Sequence, residues 1–312
     1  MLVFTQIENK SRTNDARFYK PVHADFIDSH PAEKTASEMI EPTPSSLPQT
    51  HQQFLSRALA VFKTDVRIAG IAAGGSYLTN TMDQFSDLDI LVVTQTENHA
   101  EVMADRPRIA RALGPLLEAF TGEHVGEPRL LICLYGPSML HVDLKFVTAK
   151  DLGQRVEEPL VLWERDGQLT RALGEGAANY PAPKRQWIED RFWIWLHYGA
   201  GKIGRGEIFE AIEFISYLRV NVLGPMGLQM AGALPNGVRK IEKLAPTFSK
   251  TLTQTVPTYD AKDCARALRV CADIYKSLRS SDPSVNVNQA AEAAAMQYLS
   301  DIESALSEAP TS

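Results

Sequence analysis

The residues best placed to do chemistry lie in residues 74–93, which read GGSYLTNTMDQFSDLDILVV. Gly75 and Ser76 end one apolar run, and Asp87 and Asp89 open the next one after ten intervening residues. Because alternate residues of a strand point to the same face, the two carboxylates should project side by side. Carboxylates about 4 Å apart repel by roughly 4 kcal/mol at an effective dielectric near 20, unless a divalent cation lies between them. The spacing therefore predicts a pair of metal ligands.

The metal that suits this pair is Mg²⁺, which prefers hard oxygen ligands and keeps free positions for water and substrate phosphates. The preceding residues fit a phosphate. Gly75 lets the backbone approach closely, and the hydroxyl of Ser76 can donate a hydrogen bond. The stretch as a whole predicts a site for a metal and a phosphate.

A third carboxylate lies in residues 140–147, which read LHVDLKFV. The alternation places His141, Asp143 and Lys145 on one strand face. If this strand lies beside the strand that follows Asp87, Asp143 completes a cluster of three carboxylates. Such a cluster can hold two metals about 3.5–4 Å apart, the arrangement used for in-line phosphoryl transfer. We expect His141 to be a neighbour of the cluster rather than a ligand, because Mg²⁺ prefers oxygen.

The elements that must position these residues alternate between helix and strand. An amphipathic helix follows a capping-box pattern that begins at Thr50. Strands are predicted at 66–73, 88–94, 130–135 and 139–148, the last two forming a hairpin. A helix is predicted at 106–120, with a kink at Gly114-Pro115, and a smaller hairpin at 160–164 and 168–172. Beyond Pro183 the pattern is almost wholly helical, with helices predicted at 185–198, 207–222, 238–244, 261–278 and 289–306.

The chain length and these patterns predict an α+β protein of two domains. The 312 residues are enough for two separate cores. Residues 1–48 mix charges with Pro, Ser and Thr, and they are expected to form a flexible or loosely packed arm. Residues 49–178 would form a mixed sheet with flanking helices, and residues 183–308 a C-terminal helical bundle.

Composition excludes several classes of protein. There are 32 basic and 38 acidic residues, a formal charge of −6 that does not suit a nucleic-acid-binding protein. No apolar run approaches the roughly 20 residues of a membrane span, and the first residues lack the features of a signal peptide. The three cysteines form neither a metal motif nor an even disulfide set. A soluble, cytoplasmic protein is expected.

The order of these motifs resembles the signature of the DNA polymerase β-like nucleotidyltransferase superfamily. The signature comprises Gly75-Ser76, a spacer, the pair Asp87 and Asp89, and the distant Asp143 on a strand. Within the superfamily the chain looks most like the aminoglycoside and lincosamide nucleotidyltransferases, which modify antibiotics. The resemblance covers residues 54–148 by motif, whereas the helical half is similar only in type.

The resemblance implies roles for these residues. Gly75 and Ser76 would bind the nucleoside triphosphate, with ATP as the expected donor. Asp87 and Asp89 would ligate two Mg²⁺ ions, and Asp143 would ligate the catalytic ion and help to activate an acceptor hydroxyl. Attack at the α-phosphate would release pyrophosphate. The resemblance also implies a small acceptor such as an aminoglycoside. A homodimer would agree with the assembly of relatives in the superfamily.

One departure concerns the charge of the triphosphate. Many relatives carry an Arg soon after the Gly-Ser pair, whereas this chain has Tyr77-Leu78-Thr79-Asn80. Relatives often place a Lys from the helical domain on the triphosphate, and Lys202 is the candidate here. A solvated loop lysine is an equally consistent interpretation.

A general base from the helical half is also implied, and the candidates are Glu207, Glu210 and Glu213 on one helix side. A solvated helix face is the alternative for each of them.

Two other functions stay open at this point. The same chemistry could modify a protein partner, which an ordered, partner-binding N-terminal arm would favour. A nucleotide-binding protein without turnover could retain the fold, which the missing loop Arg favours and the intact carboxylates oppose.

Overall fold

The computed structural model describes residues 44–308, and its contacts divide the chain into two units between Asn179 and Tyr180. The sequence predicts an N-terminal arm over residues 1–48, and residues 1–43 of it lie outside the described residues. None of the helices described between residues 44 and 308 combines the length and the apolar character that a membrane span requires.

A six-stranded mixed sheet organises the first unit. The strands are β1 (Ile68–Ala73), β2 (Leu88–Thr94), β3 (Leu116–Gly122), β4 (Glu127–Tyr135), β5 (Leu140–Thr148) and β6 (Leu160–Glu164). Their order in the sheet is β3-β4-β5-β2-β1-β6. The pairing of β2 with β5 is parallel, and the four other pairings are antiparallel. This is the α+β architecture with a mixed sheet that the sequence predicts.

The two faces of the sheet differ in chemistry because β2 and β5 alternate between apolar and polar residues. One face packs against α1 (Gln49–Thr64) and α2 (His99–Ala112) and forms the main core of the unit. The other face carries Asp89 and Asp143 at one end, whereas its other end is apolar and packs against α3 (Gln168–Gly174). The main core includes Phe54, Phe62, Ile90, Val102, Ile109 and Leu144. The carboxylates therefore lie on the face that the two long helices leave open.

The prediction of a helix at residues 106–120 is wrong for the second half of that segment. Helix α2 ends at Ala112, and Leu116–Gly122 forms the edge strand β3 against β4. Pro115 has no N–H and restricts the residue before it, so Gly114-Pro115 ends the helix rather than kinking it. Apolar residues four apart satisfy a helix or a strand face equally well, and pairing with β4 decides the outcome.

Two smaller predictions at segment ends are also wrong. The segment 168–172 is helix α3 rather than a strand, because Glu164 accepts hydrogen bonds from the N–H groups of Leu169 and Thr170 at 2.7 and 3.0 Å. This carboxylate satisfies free donors at the start of the helix. The capping box at Thr50 does not form, since α1 begins at Gln49 and has no side-chain cap.

Helices make up the second unit. They are α4 (Arg185–Gly204), α5 (Ile208–Leu218), α6 (Gly224–Met230), α7 (Ile241–Leu244), α8 (Pro246–Leu252), α9 (Ala261–Arg279) and α10 (Gln289–Glu308). A π-helical turn, Arg219–Leu223, joins α5 to α6. The helix predicted at 238–244 is shorter because Lys240 adopts a left-handed conformation with φ of 55°. The C-terminal helical region that the sequence predicts is therefore present.

A buried carboxylate links two helices of this unit. Glu189 of α4 accepts hydrogen bonds from the hydroxyl of Tyr275 at 2.7 Å and from the indole of Trp193 at 3.0 Å. The guanidinium of Arg279 lies 3.1 Å from the same carboxylate. A buried charge with this many donors satisfies its hydrogen-bonding capacity, so the cluster is structural.

Candidate active site

Three aspartates meet at one edge of the sheet in the first unit. Asp89 of β2 and Asp143 of β5 are direct partners in the parallel pairing, and Asp87 lies just before β2. Each of the three offers a carboxylate oxygen, and these oxygens all lie within 4.8 Å of one another. The side chains are partly buried. The two strands therefore meet side by side, which was the condition for a three-carboxylate cluster.

The three aspartates fit a divalent cation. Their ligand atoms are all hard carboxylate oxygens, and partial burial leaves room for water and substrate to complete the coordination. Without a cation, mutual repulsion raises the cost of holding three charges within this distance. The cluster can hold a metal, and its donor set favours Mg²⁺ over softer ions.

The Gly-Ser loop touches the same carboxylates. Gly74 continues the β1–β2 ladder by donating its N–H to the carbonyl oxygen of Asp89 at 2.9 Å. Gly75 follows with φ of 61°, and a Cβ at this position would overlap Oδ2 of Asp89. Only glycine adopts this conformation freely and leaves that space open. The loop backbone is therefore held against the aspartate cluster.

Ser76 presents a buried hydroxyl beside this loop. The residue is 7% exposed, and its Oγ has no hydrogen-bond partner among the described residues. An unsatisfied buried hydroxyl costs about 1–3 kcal/mol, and a bound water, ion or ligand would remove that cost. Together with the backbone of Gly75, it fits the oxygen atoms of a phosphate.

Glu157 is a residue of this site that the sequence analysis missed. Its Oε1 accepts a hydrogen bond from the N–H of Gly75 at 2.9 Å, across 82 residues of chain. Glu157 lies in the segment between β5 and β6, and no motif or alternation in the sequence marks it. Only the tertiary structure brings this fourth carboxylate to the glycine loop.

His141 neighbours the cluster, as expected. Its Nε2 lies 3.0 Å from Oδ1 of Asp143. The imidazole is half-exposed, at 50% of its side-chain surface. It can orient the carboxylate of Asp143 and leave the other oxygen for a ligand.

A cleft of about 620 Å³ extends from the cluster along the open face of the sheet. Asp89 and Asp143 lie among its lining residues, and Leu91, Val147 and Leu152 contribute apolar surface. Its volume falls within the range of small-molecule sites. The cleft therefore provides space for a small ligand next to the carboxylates.

Charged residues of β4 and β5 also line this cleft. Glu127 accepts hydrogen bonds from Arg129 at 2.7 Å and from Lys145 at 2.9 Å. Arg129 also contacts Asp151 at 3.0 Å. The hydrogen bond from Arg129, with that from Lys145, lowers the pKa of Glu127 to about 2, against the effect of burial. These ion pairs fix the orientation of the side chains of Arg129 and Lys145. Arg129 was not among the residues that the sequence predicts for the site.

Lys202, the predicted triphosphate contact, lies in α4 of the second unit. Its ammonium donates to Glu207 at 2.7 Å and to Glu210 at 2.8 Å, and these two carboxylates raise its pKa. Glu210 also accepts a short hydrogen bond from the hydroxyl of Tyr198. Lys202 is therefore paired with two of the three glutamates considered as a general base. Glu213 lies on the exposed side of α5.

Comparison with known proteins identifies the class of the first unit. A family model described as a nucleotidyltransferase domain matches residues 55–125, which include the Gly-Ser loop, Asp87 and Asp89. Residues 55–125 therefore match a nucleotidyltransferase domain, and the match covers less than half of the chain. A search of curated proteins finds no match.

Two solved structures show low similarity to the chain. One is an aminoglycoside 6-adenyltransferase from Bacillus subtilis, with 15% identity, a TM-score of 0.34, and coverage of 80% of this chain and 97% of that chain. The other is a nucleotidyltransferase-like protein from Exiguobacterium sibiricum 255-15, with 18% identity, a TM-score of 0.34, and coverage of 72% and 74%. The similarity to nucleotidyltransferases rests on the domain match over residues 55–125 and not on these structures.

Proposed function

We propose that this nucleotidyltransferase uses Mg²⁺ to move a nucleoside monophosphate to a hydroxyl group of a small acceptor. AMP from ATP is the first donor to test, and pyrophosphate is the second product. The observation that carries the proposal is the meeting of Asp87, Asp89 and Asp143, with ligand oxygens within 4.8 Å of one another. They meet beside the loop that carries Ser76, whose hydroxyl has no hydrogen-bond partner among residues 44–308.

In this proposal the Gly-Ser loop binds the triphosphate. The hydroxyl of Ser76 gains the partner that it lacks, and the N–H of Gly75 donates to a phosphate oxygen. The N–H of Gly75 takes no part in the β1–β2 ladder, since it donates to the side chain of Glu157 at 2.9 Å. A backbone donor of this kind adds no side chain that would crowd the phosphate.

The aspartates carry the reaction in this proposal. Asp87, Asp89 and Asp143 hold the metal, and two ions are expected. Bound there, the ions would supply positive charge to the triphosphate oxygens and to the attacking oxygen. Asp143 accepts the proton of the acceptor hydroxyl while the oxygen of that hydroxyl forms a bond to the α-phosphorus. The bond from that phosphorus to the bridging oxygen breaks, and pyrophosphate leaves with the electron pair.

The acceptor would lie in the cleft that extends from Asp143. Its apolar surface and ion-paired rim suit a small polar molecule with some apolar surface. The formal charge of −6 favours a cationic acceptor, and an aminoglycoside is the first class to test. Residues 49–178 would then form the catalytic domain, and residues 183–308 would contribute further substrate contacts.

Lys202 keeps a proposed role as a triphosphate contact. Its two carboxylate partners suggest how this contact would work. A phosphate would replace Glu207 or Glu210 as the partner of the ammonium.

A thermal-shift titration with each of the four nucleoside triphosphates, with and without Mg²⁺, tests the donor site. A ligand at 100 times its Kd stabilises a protein by about 2.7 kcal/mol, which is readily measured. We expect a Mg²⁺-dependent shift for one nucleotide in the wild type and its loss in the double variant Asp87→Asn/Asp89→Asn. The variant Asp273→Asn, which removes one exposed carboxylate of α9, should keep the shift.

An acceptor screen that detects pyrophosphate release then tests the transfer. Release with an aminoglycoside would support the proposal. Tight nucleotide binding without release for any acceptor would instead indicate a nucleotide-binding protein without turnover. No shift with any nucleotide would contradict the proposed donor site.

A further inference from the structure

The carboxylate of Glu157 occupies the place where the proposed function puts a phosphate. Its Oε1 accepts the hydrogen bond of the Gly75 N–H at 2.9 Å. The same oxygen would lie 2.5 Å from a Cβ added to Gly74, and the Cβ of Asp89 would lie 3.6 Å from that point. Glu157 therefore fills the space that Gly74 leaves open next to Asp89.

The backbone that carries Glu157 is anchored on both sides. The guanidinium of Arg155 donates to the carbonyl oxygens of Leu152 and Leu173 at 2.9 Å each, and it pairs with Glu158 at 2.7 Å. Its side chain is only 8% exposed. Because these contacts hold the segment, rotation of the Glu157 side chain is the simplest way to vacate the Gly75 amide.

The electrostatic surroundings of Glu157 do not favour this position by themselves. Among residues 44–308, its carboxylate forms no salt bridge, and it lies near Asp89 of the acidic cluster. The hydrogen bond from Gly75 is the contact that holds it there. A carboxylate oxygen and a phosphate oxygen are both anionic acceptors of an N–H donor, and one N–H cannot bind both well.

We infer that Glu157 sets the affinity of the phosphate site by competing with the phosphate for the Gly75 amide. The inference rests on the proposed nucleotide site. Glu157 holds the loop in the ligand-free protein and turns away when phosphate oxygens bind to Gly75 and Ser76. Its charge also opposes the approach of the triphosphate until a cation neutralises the cluster. Removing the carboxylate should therefore strengthen binding of the phosphate chain.

Calorimetric titration of the full chain with inorganic tripolyphosphate, with and without added Mg²⁺, tests this inference. The variants Glu157→Gln and Glu157→Ala should bind this probe roughly three- to tenfold more tightly than the wild type, the range expected for one competing hydrogen bond. Glu157→Asp keeps the charge but shortens the side chain, so it should show a smaller gain. Glu175→Gln removes an exposed charge of the first unit at the end of α3, and it should leave the affinity unchanged.

Unchanged or weaker binding in folded Glu157→Gln and Glu157→Ala would overturn the inference. Weaker binding only with Mg²⁺ would also overturn it, because Glu157 would then act as a metal ligand. The thermal midpoint of each variant shows whether it is folded, and Glu157→Gln preserves the shape of the side chain if Glu157→Ala is unstable.

Failure of the inference is distinguishable from failure of the proposed function. Tighter binding of tripolyphosphate without pyrophosphate release would support the role of Glu157 and count against the transfer. Pyrophosphate release by the wild type, with no gain in affinity for the variants, would support the transfer and overturn the role of Glu157.

Discussion

Asp89 and Asp143 are direct register partners across the single parallel pairing described in the sheet. Their side chains project to the open face, whereas Leu88 and Ile90 on one strand and Val142 and Leu144 on the other enter the main core. The burial of these apolar neighbours specifies the register, because a slip by one residue would move every side chain to the opposite face. The same packing that stabilises the sheet thus holds two carboxylates together.

Asp143→Asn should reduce turnover by at least about a hundredfold, while nucleotide binding in the presence of Mg²⁺ is retained in part. The reason is that asparagine cannot accept the proton of the acceptor hydroxyl, whereas the contacts of the Gly-Ser loop persist. Steady-state rates of pyrophosphate release and thermal shifts with nucleotide measure the two effects. Turnover equal to the wild type would exclude Asp143 as a group that reacts, and Asp273→Asn controls for a simple change of charge.

Ser76→Ala should weaken nucleotide binding without destabilising the fold. The Oγ of Ser76 is buried and lacks a partner in the described part of the chain, so its removal relieves a cost of about 1 kcal/mol or more. Denaturant unfolding without ligand should therefore show equal or greater stability, and nucleotide titration should show a higher Kd. Ser56→Ala, which removes a hydroxyl bonded to the carbonyl of Gln52 on the exposed side of α1, is the matched control. A clear loss of stability in Ser76→Ala would show that the hydroxyl serves the fold.

Gly75→Ala should abolish activity and lower the free energy of unfolding by about 1–3 kcal/mol. The φ of 61° strains any residue other than glycine, and the added Cβ overlaps the carboxylate of Asp89. Gly174→Ala is the control, since a Cβ there meets nothing within 4 Å and the residue lies in helix α3. Denaturant unfolding and pyrophosphate release together measure both effects. Wild-type activity in Gly75→Ala would rule out the proposed contact of this loop with the triphosphate.

The ion pair of Glu127 with Arg129 should make stability depend on pH in the acid range. The pKa of Glu127 falls from 4.5 to about 2 in the folded protein, chiefly through the hydrogen bond from Arg129. Because the pKa of Glu127 is lower in the folded than in the unfolded protein, the pair stabilises the fold fully at pH values above 4.5. This stabilisation is lost as the pH falls toward 2 and Glu127 becomes protonated. Arg129→Gln should thus be less stable than the wild type at pH 7, and the difference should shrink between pH 4.5 and 2.

Denaturant midpoints at several pH values measure this dependence. Arg239→Gln, which removes an exposed positive charge in the second unit, should show no such convergence with the wild type. A difference between Arg129→Gln and the wild type that stays constant down to pH 2 would contradict the assignment of the pH dependence to Glu127.

The sequence by itself determined the local features of the site. The alternation of β2 and β5 placed the carboxylates on polar strand faces, and the Gly-Ser pair marked the end of β1. Local patterns sufficed because each depends on neighbouring residues and on the two-residue period of a strand. The same patterns failed at residues 116–122, where an apolar spacing suited both helix and strand and the pairing with β4 decided.

Only the tertiary structure decided which distant residues meet. The parallel pairing that joins Asp89 to Asp143 requires a crossover through α2, β3 and β4, and no local pattern specifies it. The contact of Glu157 with Gly75 and the ion pairs of Arg129 also span distant segments. Such contacts arise when the packing of the whole unit excludes other arrangements. For this reason the sequence identified the three aspartates but not Glu157, which we infer competes with a phosphate for the Gly75 amide.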